Sequence, residues 1–187
     1  MAAAVATATD ARVRGAALGA LVRNGTQVQA RRAWTTAVRD TDPAVRRRAA
    51  ELAPKLPAPA ARPLITMLKD RDALVAESAA FGCGEILWDE QRRSRIVEGL
   101  TTATRHDNAL VREAAVAALG SLGDPAGLSA ILVACTDQPP VRRRAVLALA
   151  PFDGPAVDAA LVAALGDSDW QTRQAAEDLG ALDITAE

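Results

Sequence analysis

With 187 residues, half of them apolar, the chain can bury a core of ordinary domain size, which argues against disorder. Aromatic residues make up only 3% and tyrosine is absent, so the core must be built from Ala, Val and Leu in closely spaced helices, not as an aromatic-rich β-sandwich. A formal net charge of −1 weighs against strong attraction of the whole molecule to nucleic acid or an anionic membrane, although 20 of the 22 basic residues are arginine.

The first stretch, MAAAVATATDAR, lacks the basic start and long apolar run of a signal peptide. No apolar run reaches the roughly 18 residues of a membrane span, and a cytoplasmic location is expected. From Thr9 onward one motif recurs: TDARVRGAALGAL at Thr9, TDPAVRRRAAELA at Thr41, DRDALVAESAAFG at Asp70, HDNALVREAAVAALG at His106, TDQPPVRRRAVLALA at Thr136 and DSDWQTRQAAEDLG at Asp167. With its Val position taken as zero, the motif falls at Val13, Val45, Val75, Val111, Val141 and Thr172, with gaps of 32, 30, 36, 30 and 31 residues. Such even spacing is the signature of a repeat architecture.

Each copy reads as a helix. An Asp at its start can cap free N–H groups, and Pro43, Pro139 and Pro140 suit a helix entrance. At about 100° per residue, positions 0, 4, 7, 8 and 11 share one face. In the second copy these are Val45, Ala49, Leu52, Ala53 and Leu56, an apolar stripe whose alanines let neighbouring helices approach closely. Between the copies a further helix is predicted over Thr26–Arg39, Pro59–Lys69, Glu90–Arg105, Pro125–Thr136 and Pro155–Leu165. The unit is then helix, turn, helix, and its apolar faces are buried only by stacking. The 36-residue gap places the extra residues near Ile86–Arg93, and the segment before Asp10 is too short for a full first helix.

Asp-Pro-x-Val-Arg-x-x-Ala-Ala-x-x-Leu resembles the HEAT repeat, in particular the short, Ala-rich HEAT-like repeats also seen in phycobilisome lyases. The resemblance covers about Asp10 to Leu182, with departures at Ala76, where Arg is expected, and Thr172, where Val is expected. It implies an all-α fold, a right-handed α-solenoid of about six HEAT-like helix-turn-helix repeats. These form a single domain over 1–187, with repeats at about 1–25, 26–57, 58–89, 90–123, 124–153 and 154–187. It further implies a non-catalytic binding scaffold or adaptor that recognises a protein or peptide on its concave face. The alternative it leaves open is a nucleic-acid-binding or DNA-repair protein of the same fold. A chromophore lyase or assembly chaperone is a more distant third. Oligomeric state stays open, because solenoid ends without a polar cap tend to pair.

The register sorts the arginines. Position 1 holds Arg14, Arg46, Ala76, Arg112, Arg142 and Arg173, so its arginine belongs to the repeat itself. The resemblance implies a ladder to Asp residues of neighbouring turns, such as Asp42, Asp107, Asp137 and Asp169. At positions 2 and 3 the pairs Arg47/Arg48 and Arg143/Arg144 are local, and the same outward position holds Glu77 and Glu113 in the copies between them. Position 6 also faces outward. It carries Glu51 in the second copy but Phe81 and Leu147 in the third and fifth, apolar residues where solvent is expected. These nine residues, Arg47, Arg48, Glu51, Glu77, Phe81, Glu113, Arg143, Arg144 and Leu147, are the candidate partner-binding face. Charge of alternating sign with few aromatics suits a protein or peptide groove better than a nucleic-acid groove, which presents a continuous basic stripe.

Catalysis finds little in the sequence. His106 is the only histidine, there is no CxxC, HExxH or phosphate-binding glycine loop, and no catalytic, cofactor-binding or metal-ligating residue is assigned. Cys83 and Cys135 lie far apart in apolar company and are expected to be buried, reduced thiols. FGCGE (Phe81–Glu85) falls inside a helix, where its glycines serve close packing, and Trp170 is expected to pack at a repeat junction.

Overall fold

The computed structural model describes residues 2–57 and 61–184, and all the regular structure among them is helical. In chain order the helices are α1 (Ala2–Thr7), α2 (Ala11–Asn24), α3 (Gln27–Ala37), α4 (Pro43–Leu52), α5 (Ala61–Met67) and α6 (Ala73–Glu85). They continue with α7 (Glu90–Ala103), α8 (Ala109–Leu122), α9 (Leu128–Ala134), α10 (Pro139–Ala148), α11 (Pro155–Leu165), α12 (Trp170–Asp178) and α13 (Ala181–Ile184). The even-numbered helices from α2 to α12 are the six motif copies. The expected Pro59 start of α5 lies outside the described residues. The extra residues after Val75 form the non-helical link Ile86–Asp89.

The chain divides into two compact units, 1–96 and 97–187, with the division inside α7. In the first unit α2 packs on α1, α3 and α4, and α4 packs on α6. In the second, α10 lies between α8 and α12 and is backed by α9 and α11. No described helix is long and apolar enough to cross a membrane.

Side-chain caps set most helix starts. Asp10, Asp42, Asp72, Asn108 and Asp169 each accept a first-turn N–H, and Thr26 with Gln29 forms a capping box on α3. Gln138 makes no such bond, and Pro139 opens α10 with its fixed φ instead. The predicted stripe of α4 is buried along its whole length, from Val45 to Leu56. Its first-copy counterpart departs: Val13 is 47% exposed, although α1 packs on α2 and Leu18 is buried.

Burial extends beyond the predicted stripe. Position 5 is also buried, as Leu18, Ala50, Ala80, Val116 and Val146, although the sixth copy carries the exposed Glu177 there. It lies about 140° from the Val position, while position 3 lies about 60° the other way. α2 and α10, with neighbours on both sides inside their own units, pack on three sides. Close approach is most visible at Gly120 of α8, where an added Cβ would lie 2.7 Å from both Cα and Cβ of Ala148. Gly82 in FGCGE serves the expected purpose: an added Cβ would meet the Ala50 carbonyl oxygen at 3.1 Å. Trp34 is buried, its Nε1 donating to the Ala49 carbonyl at 2.8 Å and joining α3 to α4.

Candidate functional site

The position-1 arginines form the ladder, with a partner that sequence reading mostly missed. Arg46 donates from Nε and Nη2 to the two carboxylate oxygens of Asp70, at 2.7 and 2.8 Å. Its Nη1 donates to the carbonyls of Asp40 and Thr41, at 2.9 and 3.1 Å. The arrangement recurs as Arg14–Asp40, Arg112–Asp137 and Arg142–Asp167. Each arginine thus ties the turn before its own helix to the turn before the next copy. Of the expected partners only Asp137 is correct. Asp42 and Asp169 instead cap α4 and α12, and the Asp107 side chain is solvent-exposed while its carbonyl accepts from Arg112. The true acceptors stand two residues before the caps, giving Asp40-x-Asp42, Asp70-x-Asp72 and Asp167-x-Asp169. That spacing is the signal that could have found them.

These pairs shift the carboxylates in one direction. The Arg14 guanidinium holds the Asp40 carboxyl below its ordinary value, as Arg112 does for Asp137 and Arg142 for Asp167. At Asp70 burial pushes upward most strongly, but the Arg46 bonds, the Asp72 N–H and nearby positive charge outweigh it, and the carboxyl is again lowered.

The nine candidate residues are all on the even-numbered helices, five in the first unit and four in the second. Arg47 and Arg48 of α4 both turn to Glu51, at 3.1 and 3.0 Å. Arg144 of α10 reaches back to Glu113 of α8 at 3.5 Å, and Arg143 donates to Gln171 of α12. Glu77 is half-buried on α6. Phe81 and Leu147 are 45% and 39% exposed, so both apolar side chains meet solvent at the outward register position. Trp170, expected to pack at a junction, is 63% exposed because it opens α12 at a turn. A cleft of about 710 Å³ lies between α2 and α4, lined by Arg12, Gly15, Gly19, Arg23 and Arg48.

The profile of the HEAT repeats matches the sequence twice, over residues 61–140 and 97–180. The chain belongs to the HEAT-repeat family. Among solved structures, YibA of Escherichia coli is similar at 19% identity and a TM-score of 0.70, over 92% of this chain and 66% of that one. An engineered protein is similar at 17% identity and a TM-score of 0.68, over 97% and 94%. A designed armadillo repeat protein in complex with the peptide (KR)4 is similar at 16% identity and a TM-score of 0.66, over 96% of each chain. These likenesses establish the fold class, an all-α repeat solenoid. Comparison with curated proteins gives no match.

The HEAT helices place little reactive chemistry together. Among the described residues no group of three or more His, Cys, Asp or Glu is placed to hold a metal ion. Burial pushes the Cys83 thiol up to about 12 and the Cys135 thiol to about 11, so neither supplies a thiolate near neutrality. Cys83 is buried as expected, whereas Cys135 is only half-buried at the end of α9. The His106 Nδ1 accepts the Asn108 N–H at 3.0 Å, a turn duty.

Proposed function

We propose that this HEAT-repeat chain is a non-catalytic scaffold that binds a protein or peptide on the concave face lined by its even-numbered helices. The observation that carries the reading is the exposure of Phe81 and Leu147 at the register position that holds Glu51 and Asp178 in other copies. Apolar anchors rimmed by charge are the anatomy of a protein interface. That a designed repeat protein of similar fold holds a peptide supports the reading as a precedent for the fold alone. The paired arginines favour protein over nucleic acid, since Arg47, Arg48 and Arg144 already face Glu51 or Glu113 of their own chain. Carboxylates interspersed at that density repel a phosphate backbone.

The test is affinity capture from a lysate of the source organism, with wild type and the variants Phe81→Asp and Leu147→Asp. Loss of the same partners from variants with unchanged helicity and melting supports the anchor face. Retention of every partner refutes it. Duplex and single-stranded DNA titrated at low and moderate salt form the second arm. Tight, salt-sensitive binding abolished by charge reversal at Arg47, Arg48, Arg143 and Arg144 would overturn the scaffold in favour of a nucleic-acid reading.

A further inference from the structure

The two units solve the same register position differently. In the second, position 3 of the fifth copy, Arg144, reaches back to position 2 of the fourth, Glu113. In the first, the equivalent pair is Arg48 and Gly15, so the arginine finds no carboxylate on α2 at that position. A Cβ added at Gly15 would come no nearer than 4.0 Å to anything, its closest neighbour being Cγ of Arg48. One turn on, a Cβ added at Gly19 would lie 3.4 Å from both Nη1 of Arg23 and Nη2 of Arg48. Two guanidinium groups therefore converge above a floor without side chains, inside the cleft of about 710 Å³.

Packing does not require these glycines. At Gly120 and Gly82 the neighbouring helix leaves little or no room for a Cβ, whereas at Gly15 a Cβ would make only an ordinary contact with Arg48 at 4.0 Å. Glycine within a helix weakens it, so α2 gives up helix stability to keep the floor clear. Positive charge is also in excess there, with Arg12, Arg23 and Arg48 against Asp10 and Asp42. Among the described residues no carboxylate pairs with the side chains of Arg12 or Arg23. Arg48 gives Nη1 to Glu51, while Nη2 and Nε turn toward Gly19. Asp10 and Asp42 line the other end of the cleft, each with one carboxylate oxygen accepting the N–H of Arg12 or Ala44 at 2.8 Å.

We infer that the α2–α4 cleft is a carboxylate-binding subsite, which takes an acidic side chain from a peptide segment of a partner protein where Glu113 serves the second unit internally. This rests on the scaffold reading and names the chemistry of its partner. Planar guanidinium forks suit a single carboxylate, and a basic peptide would be repelled. An extended phosphate backbone would meet Glu51, Asp10 and Asp42 beside the arginines.

A fluorescein-labelled Glu-Gly octapeptide is the probe, with the Gln-Gly octapeptide, inorganic phosphate and a short DNA duplex as comparators. Binding is followed by anisotropy and by the Nε–H resonances of Arg23 and Arg48. The acidic peptide is expected to bind in a salt-sensitive manner and shift both resonances, with the Gln peptide at least tenfold weaker. Gly15→Glu places the chain's own carboxylate in the cleft and should weaken binding at least tenfold; it has room and raises helix propensity, so it folds. Arg48→Gln should do the same, and Val133→Asp, at an exposed position of α9, should leave the octapeptide unaffected. Equal binding by Gly15→Glu and wild type, no binding of the Glu peptide, or tighter binding of DNA or phosphate would each overturn the subsite. Failure here with partner capture still dependent on Phe81 leaves the scaffold standing. Failure of the Phe81 and Leu147 variants to lose partners, with the peptide still bound, removes the scaffold reading and not the carboxylate chemistry.

Discussion

Removing the Arg46 side chain tests whether the ladder holds the repeats together. Its side chain is 9% exposed and that of Asp70 10%, so Arg46→Ala strands a nearly buried carboxylate. The carbonyls of Asp40 and Thr41 lose their donor as well. Stranding one partner of a buried pair costs about 3–5 kcal/mol. Asp70 keeps the Asp72 N–H at 3.0 Å and sits near the surface, which places the expected loss toward the low end, about 3 kcal/mol. For a chain of this size that lowers the melting temperature by roughly 6–12 °C. The internal control is Arg47→Ala, whose side chain is 48% exposed against a Glu51 that is 34% exposed. Such a pair contributes about 0–1 kcal/mol. Urea unfolding of wild type, Arg46→Ala, Asp70→Ala and the double variant gives the coupling, expected at about 2 kcal/mol for a bonded pair. Arg46→Lys should recover little, since a point charge cannot make the paired bonds or reach both carbonyls. An Arg46→Ala loss equal to that of Arg47→Ala, or strict additivity in the double variant, would refute the ladder as a source of stability.

Gly120→Ala is expected to lose about 1–3 kcal/mol by forcing α8 off α10, while Gly15→Ala, whose Cβ meets nothing closer than 4.0 Å on the neighbouring helix, should gain about 0.5–1 kcal/mol; denaturant unfolding compares the two. Because the carboxyls of Asp40, Asp70, Asp137 and Asp167 titrate lower in the folded chain than in the unfolded one, their contribution is complete above the unfolded value of about 4 and is lost as pH falls through the folded values. Unfolding free energy measured from pH 6 down to pH 2 should therefore fall steeply below about pH 4, and more shallowly in Asp70→Asn. With its thiol pushed up to about 12 and no exposed surface, Cys83 should react with a thiol reagent at pH 8 only as fast as the chain opens, and faster in Arg46→Ala. A rate in the native protein equal to that in urea would contradict its burial.

The helices were readable because the repeat states them six times. A single copy would be ambiguous, but Val and Ala at fixed register across six copies leave one periodic solution. The link at Ile86–Asp89 and the α11 limits, Pro155–Leu165, follow from the same register. What the apolar pattern could not show was lateral packing. Positions 3 and 5 face neighbouring copies, so Arg48 and Arg144 are half-buried and look backwards along the stack, while periodicity places them on one helix only. The ladder partners were hidden for a related reason. Asp40 and Asp70 sit in turns that belong to the following copy, and their role depends on an arginine 26 or 24 residues earlier. The α2–α4 cleft was missed because its signal is two missing side chains, Gly15 and Gly19, in a motif read for the residues it contains.

Hydrogen-bond supply explains why arginines of one motif serve different ends. A guanidinium has five N–H donors. Arg46 places four of its bonds on Asp70, Asp40 and Thr41, leaving it little to offer a partner. Where the position-1 arginine is replaced, by Ala76, the corresponding turn carries His106 in place of aspartate. The imidazole keeps the turn bond to Asn108 that Asp40 makes to Asp42, without leaving a carboxylate unpaired. The repeat thus gives up both members of a rung together, as expected if each is costly to bury alone. Arg48 is under no such constraint: it spends one bond on Glu51 and keeps its remaining donors beside Gly19. Within the triplet of Thr41–Leu56, then, Arg46 is committed to the fold through Asp70, Asp40 and Thr41, whereas Arg48 bonds only to Glu51 of its own helix.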